Sequence, residues 1–298
     1  MILIVGATGI TGGLVAKLLL DQGKPVRILL RENSPAEEMA KQGMATAPSE
    51  LIQAGAQPVM GELRDRASLE KAVAGVDTVI ITANTVLRDA DFENVDHQGV
   101  KALIDAAREA GVKHVIYTST NMASLDSPDP FMKIKAIIEQ ALAQSGTTYT
   151  ILKPGLFMEV WIGVVVGTPL RAGQPITLVK PAQVRQPFVS LVDVAKYAVA
   201  AVGNPAAQNA TIWISGPSSY NWSEIVAAVG KAVGQPLPVN YVNPFDPIPL
   251  IPPSMAALLS VTETLESFTI DMRQTSQTYG IEPTSLDSFA RGMFGGAA

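Results

Sequence analysis

Cysteine is absent from this 298-residue chain, and histidine occurs only as His97 and His114. The first absence excludes disulfides, thiolate metal ligands and a cysteine nucleophile. The second argues against a histidine-built metal site. Charge is sparse: 16% of residues are ionic, the net charge is -5, and no basic block stands ready to neutralise phosphates. A nucleic-acid partner is therefore not expected. Long apolar runs are missing as well, and stretches such as Trp161 to Val166 are far too short to span a bilayer. With a first strand expected from residue 2, no room remains for a signal peptide, and the expectation is a cytoplasmic protein with no membrane partner. Solenoid repeats and low-complexity tracts are also lacking. What the chain does have is 47% hydrophobic residues, enough to bury a large core as one domain or as a domain plus a lobe.

The most informative stretch is Met1 to Gly13. Ile2 to Val5 is wholly apolar with three β-branched residues, the composition of a strand buried on both faces. Gly6, Gly9 and Gly12 follow at intervals of three, and Leu14 to Leu20 continues as a helix ended by Gly23 and Pro25. Three spaced glycines alone could be an ordinary turn. Between a buried strand and a helix start they form a pyrophosphate cradle, where missing Cβ atoms admit the ligand and helix N–H groups face it.

Strand-like and helix-like segments then alternate. Strands are expected at Val26–Leu30, Gln57–Met60, Thr78–Thr82, Val112–Tyr117 and Tyr149–Leu152. Helices are expected across 35–54 with a break near Pro48, and at Ser68–Ala74, Phe92–Ala110 and Phe131–Gln144. This repetition implies an α/β fold, a doubly wound parallel Rossmann sheet with right-handed crossovers and its ligand at the carboxyl ends of the strands. After residue 155 prolines become frequent, as in Pro244–Pro249. A helix at Leu191–Val202 and a strand at Ala210–Ile214 are expected to return to the sheet, giving a dinucleotide-binding domain over 1–155 with returning segments near 188–215. Residues 156–298 would mainly form a smaller α/β C-terminal substrate lobe. Its Leu156, Phe157, Trp161, Ile248, Leu250 and Ile251 suit either an apolar substrate or plain packing.

The second strand ends Ile28-Leu29-Leu30-Arg31, where an NAD site usually carries an acid. A guanidinium there can pair with the 2′-phosphate of NADP and stack on adenine, so NADP(H) is the expected cofactor. An exposed arginine in a solvated loop is the alternative, and Glu32 beside it could mimic the acid.

Several motifs in order carry a family resemblance. They are Gly-Ala-Thr-Gly-Ile-Thr-Gly at 6–12, Gly-Glu-Leu-Arg-Asp at 61–65, Ala-Gly-Val-Lys-His-Val-Ile-Tyr-Thr-Ser at 110–119, Lys135-x-x-x-Glu139, Ser-Gly-Thr-Thr-Tyr-Thr-Ile-Leu-Lys-Pro-Gly at 145–155 and Phe-Val-Ser-Leu-Val-Asp-Val-Ala at 188–195. Together they resemble the NmrA-like branch of the atypical short-chain dehydrogenase/reductases, over about residues 1 to 215. The resemblance implies cofactor contacts from Gly6, Thr8, Gly9, Ile10, Thr11 and Gly12, although Thr11 could simply cap the helix. It also implies contacts from Arg31, Glu62, Leu63, Thr82, Ala83, Asn84 and Lys135.

Short-chain reductases of the usual kind place a tyrosine four residues before a lysine, to give or take the substrate proton. The equivalent pair here is Phe131 and Lys135, and phenylalanine has no proton to give. On a helical wheel Lys135 shares a face with Phe131, Ile134, Ile138 and Leu142. An ammonium on an apolar face needs a partner: the cofactor ribose hydroxyls, as the resemblance implies, or Glu139 one turn on, worth about 0.2–0.5 kcal/mol. Ser119 matches the substrate-orienting hydroxyl, or is a local cap. Lys135 and Ser119 are thus the catalytic candidates, with Asn121, Met122, Phe131, Phe157 and Trp161 lining a substrate pocket. Two functions follow. One is an NADPH-dependent reductase that passes hydride to a small, apolar, polarised acceptor such as a quinone, enone or imine. The other is an NADP-binding regulator or assembly factor without turnover. Oligomeric state is left open.

Overall fold

A computed structural model describes residues 1–32, 34–85 and 90–296. The chain divides into two compact units, Met1–Pro154 with Val194–Trp213, and Gly155–Asp193 with Ile214–Ala298.

In the first unit, β1 (Ile2–Val5), β2 (Val26–Leu30), β3 (Gln57–Met60), β4 (Thr78–Ile81), β5 (His114–Thr118) and β6 (Tyr149–Pro154) build one sheet, with β10 (Ala210–Ile214) beside β6. Its order is β10-β6-β5-β4-β1-β2-β3, and the pairs from β3 through to β6 are all parallel. β1, β4 and β5 are buried along their whole length, as their mainly apolar composition suits strands covered on both faces. The strand order reverses between β1 and β4, which makes their carboxyl ends the switch point of the sheet.

The crossovers are α1 (Ile10–Asp21), α2 (Ala36–Lys41) with α3 (Pro48–Gln53), α4 (Arg66–Val73), α5 (Val100–Glu109) and α6 (Pro130–Gln144). Starts follow local chemistry. Asp65 accepts from the Ala67 N–H at 3.0 Å to cap α4, and Asp129 accepts from the Met132 N–H at 3.0 Å to cap α6, with Pro130 in the first turn. The helix expected across Phe92–Ala110 is continuous but not uniform: Phe92–Gly99 winds as wide π turns before α5. A core of Leu3, Val79, Ile81, Leu103, Tyr117 and Ile138 fills one side of the sheet.

The second unit contains β7 (Leu156–Phe157), β8 (Ile176–Val179), β9 (Gln186–Val189), β11 (Ser219–Tyr220) and β12 (Val239–Val242). β7 runs parallel and β11 antiparallel to β9, while β8 and β12 form a separate parallel pair. Around them lie α7 (Met158–Ile162), α8 (Thr168–Arg171), α10 (Trp222–Ala232), α11 (Pro253–Thr262), α12 (Arg273–Tyr279) and α13 (Leu286–Phe294), with α9 (Leu191–Ala201) spanning the boundary in sequence. This unit has a core of its own, centred on Met158, Phe188, Trp222, Leu259 and Phe289. Phe188 and Trp222 meet edge to face with ring centroids 5.5 Å apart. Residues 188–193 belong to this unit.

Candidate functional site

The glycine turn is built by exclusion. Gly6 takes φ +99, and a Cβ there would lie 2.6 Å from the Ala83 nitrogen and 2.7 Å from Thr82 Oγ1. A Cβ on Gly12 would lie 2.2 Å from the Gly6 carbonyl oxygen. These two glycines let the loops after β1 and β4 and the start of α1 close on one another. Gly9 differs: it is the N-cap of α1, offers no side-chain cap, and a Cβ on it would meet only the Gly6 oxygen, at 3.3 Å. The first-turn N–H groups of α1 therefore have no side-chain acceptor at the cap, the arrangement that suits an anion. Ile10 and Thr11 fall in that first turn, so Thr11 is not the cap; Thr8 is tied back through its carbonyl, which accepts from the Thr46 N–H at 2.9 Å.

Arg31 is the first residue beyond β2 and half-buried, and its guanidinium forms no hydrogen bond or ion pair among the described residues. The Thr82 and Ala83 N–H groups both donate to the Val5 carbonyl, at 2.9 and 3.1 Å, and carry the chain with Asn84 past the glycine turn. After β3, Glu62 lies 3.9 Å from the Arg64 guanidinium, while Leu63 packs into the core of this unit.

A second cluster sits where β5, β6 and α6 meet. Lys135 is 3% exposed, and its Nζ donates to the Thr118 carbonyl at 3.0 Å. It stands 4.7 Å from the Tyr117 ring centroid and 5.2 Å from that of Phe131. Burial lowers its pKa to about 8, against the pull of the Asp96 and Glu139 charges. Burial also raises the Tyr117 hydroxyl well above its ordinary value, and the same two carboxylates add to that. Asp96, on the π turns, is buried and accepts from the Thr85 N–H at 3.2 Å and the Thr85 hydroxyl at 2.5 Å.

Glu139 does not pair with Lys135. Its two oxygens receive Lys153 Nζ at 2.7 and 2.8 Å, and one of them also accepts from the Ser119 hydroxyl. Ser119 is thus bound to Glu139 rather than acting as a local cap. Lys153 is buried at the end of β6, with its Nζ 5.2 Å from the Trp213 ring centroid.

Asn121 and Met122 lie on the loop after β5, where the Asn121 N–H donates to the Pro154 carbonyl at 3.0 Å. Phe131 contacts Phe92, ring centroids 5.4 Å apart. Phe157 belongs to β7, and Trp161 to α7, where it packs on the core of the second unit. Leu156, Ile248 and Ile251 are members of that core, whereas Leu250 is exposed. Asp96 and Lys153 were not singled out from the sequence. The signal for each was the one that exposed Lys135, a lone charge at an apolar position: Asp96 one turn before Val100 and two before Leu103, Lys153 at the end of Ile151-Leu152.

The fold and its glycine turn at the switch point define a Rossmann-type α/β protein. A model of the NmrA-like family matches residues 1–290, and the chain belongs to that family. It is 29% identical over 242 residues to an NAD(P)H azoreductase of Xenophilus azovorans, covering 81% of this chain and 76% of that one. It is 27% identical over 309 residues to a photosystem II assembly factor of Synechocystis, covering 99% and 90%. Its fold matches that of the Citrobacter triphenylmethane reductase complexed with NADP(H), with a TM-score of 0.78 at 20% identity over 98% and 99% of the two chains. Among the described residues no group of carboxylates and imidazoles could hold a metal ion, and no helix is long and apolar enough to cross a membrane.

Two stability outcomes follow. Gly12→Ala places a methyl against the backbone and should cost about 1–3 kcal/mol in urea unfolding, whereas Gly9→Ala should cost under about 1 kcal/mol; equal costs would contradict the division between packed and open glycines. Lys135 binds its proton less tightly folded than unfolded, so the unfolded chain holds the extra proton between pH 8 and 10.5. Folding stability must then rise with pH across that window. Relative to Lys135→Met, the wild type should gain on the order of 3 kcal/mol; a difference that stays flat with pH would show that the ammonium is not buried.

Proposed function

We propose that this protein is an NADPH-dependent reductase acting on small, apolar, polarised acceptors. The observation that carries the reading is the conjunction of an uncapped, glycine-lined helix start with an unpaired arginine just beyond the next strand. A diphosphate and a 2′-phosphate are the anions those groups suit. The glycine turn and the first-turn N–H groups of α1 would hold the diphosphate, Arg31 the 2′-phosphate, and Lys135 the ribose hydroxyls. The azoreductase relative, which takes its name from NAD(P)H, supports the same cofactor. NADPH supplies a hydride when bound.

The residues around Lys135 determine what that hydride can reach. Phe131 offers no proton, so the acceptor must itself stabilise developing negative charge, as quinones, enones, imines and azo dyes do. Lys135 retains two N–H groups beyond its bond to Thr118, and a pKa near 8 leaves it able to donate at neutral pH. It can steady charge on the acceptor or return a proton to the product.

A second reading has its own support. The similarity to the assembly factor runs through nearly the whole of both chains, further than that to the azoreductase. A dinucleotide-binding protein without turnover also has no need of a hydroxyl at 131.

Titration with NADPH and NADH, followed by nicotinamide fluorescence, should favour NADPH. Arg31→Ala should weaken NADPH by at least about tenfold, the scale of one charge-assisted contact; unchanged affinity would remove the 2′-phosphate assignment. In assays of NADPH consumption with a panel of quinones, enones, imines and azo dyes, turnover should appear and fall at least about tenfold in Lys135→Ala. Tight NADPH binding with no turnover across the panel would overturn the reductase in favour of the assembly factor.

A further inference from the structure

Ser119 has a defined hydrogen-bonding polarity. Its hydroxyl proton is given to Glu139 Oε1, and that carboxylate already carries the Lys153 ammonium on both oxygens. Facing an ammonium, Glu139 can only accept from Ser119, Lys153 directs two of its N–H groups to Glu139, and among the described residues no group donates to the Ser119 oxygen. The order of the chain is therefore ammonium to carboxylate from one side and hydroxyl to the same carboxylate from the other. What Ser119 has left to offer is its two lone pairs. Nearby, Lys135 supplies spare N–H groups and Phe131 supplies no polar atom.

We infer that Ser119 recognises its ligand as a hydrogen-bond acceptor, with Glu139 and Lys153 as positioning residues, and that the site favours acceptors bearing an N–H or O–H beside the reducible centre. The substrate class is then the amino- or hydroxy-substituted quinone, the imine with its N–H, or the hydrazone form of an azo dye. A bare ketone or unsubstituted quinone offers Ser119 only an oxygen, and two acceptors facing one another gain no hydrogen bond. This inference rests on the reductase reading for its site and deepens it by naming the substrate's polarity.

The arrangement is held from three elements. Ser119 follows β5, Glu139 lies in the middle of α6 and Lys153 near the end of β6, with Ser119 and Lys153 buried. The Ser119 N–H donates to the Leu152 carbonyl at 2.8 Å, so its backbone is fixed to the strand that carries Lys153. Rotating the hydroxyl toward a ligand would exchange a hydrogen bond to a carboxylate, the stronger kind, for one to a neutral carbonyl, which does not repay it.

The test uses two matched probes, methylamino-naphthoquinone, which has an N–H beside the carbonyl, and dimethylamino-naphthoquinone, which has none. Their binding to the protein with NADP+ is followed by the quinone absorbance, and NADPH consumption with unsubstituted naphthoquinone is measured in parallel. The expected result is about five- to tenfold tighter binding of the methylamino probe, the worth of one hydrogen bond. That preference should vanish in Ser119→Ala. In Glu139→Gln the amide can donate to Ser119 and release its hydroxyl proton, so the preference should vanish or invert; NADPH affinity reports that the variant is folded. Equal binding of the two probes by the wild type, or a preference that survives Ser119→Ala, would overturn the inference. Failure of the reductase reading is separate and visible: unsubstituted naphthoquinone and both probes would leave NADPH unconsumed, while the binding preference still decides the polarity of Ser119.

Discussion

Two lysine ammonium groups are buried at the carboxyl ends of neighbouring strands, and the site depends on how each is compensated. Lys153 is matched directly, by the two oxygens of Glu139. Among the described residues Lys135 is matched by the Thr118 carbonyl, the faces of Tyr117 and Phe131, and the fields of Asp96 and Glu139, with no carboxylate bonded to it. A buried ion pair stabilises a fold little, because the lost hydration offsets most of the attraction. The difference between the two lysines is what matters. One is neutralised and holds a serine rotor; the other is left with unused N–H groups and a proton it can release near neutral pH.

This asymmetry follows from the sheet. β5 and β6 are adjacent and parallel, so Thr118, Ser119 and Lys153 emerge from the same end, where α6 lies across them. On α6 the residues one turn apart, Lys135 and Glu139, face the same way, but Glu139 reaches Ser119 and Lys153 while Lys135 reaches Thr118. The one-turn spacing that would allow an intrahelical pair instead sends two opposite charges to two different partners. β1 and β4 bring the glycine turn to the same edge of the sheet, since Gly6 has no room for a side chain against Ala83.

Much of this was legible in the residues. Continuous apolar runs marked the parallel strands, and the glycine spacing marked the turn at β1, because both are local signals set by burial and by the absence of Cβ atoms. The helical wheel placed Lys135 on the buried face, as found. Its partners were not legible: an i,i+4 glutamate is the natural candidate in a helix read alone, and only the pairing of β5 with β6 puts Lys153 in competition for it. Asp96 was open to the same reading as Lys135, a lone charge in step with Val100 and Leu103, but nothing local marked Phe92–Gly99 as π turns. The second unit was the least readable, since its strands are two to four residues long and its order is set by contacts distant in sequence.

Phe131 is usefully considered for what its ring does as well as for the hydroxyl it lacks. It meets the Phe92 ring at a tilt of 42° and its centroid lies 5.2 Å from the Lys135 ammonium. A phenol at that position would add a polar group needing its own partner beside an already buried charge. The phenyl ring is one of the groups that bury Lys135, with Tyr117 closer still, and burial is the first cause of the lowered lysine pKa. A ring without a hydroxyl beside an ammonium that burial leaves with a pKa near 8 is the feature on which the proposed choice of acceptor turns.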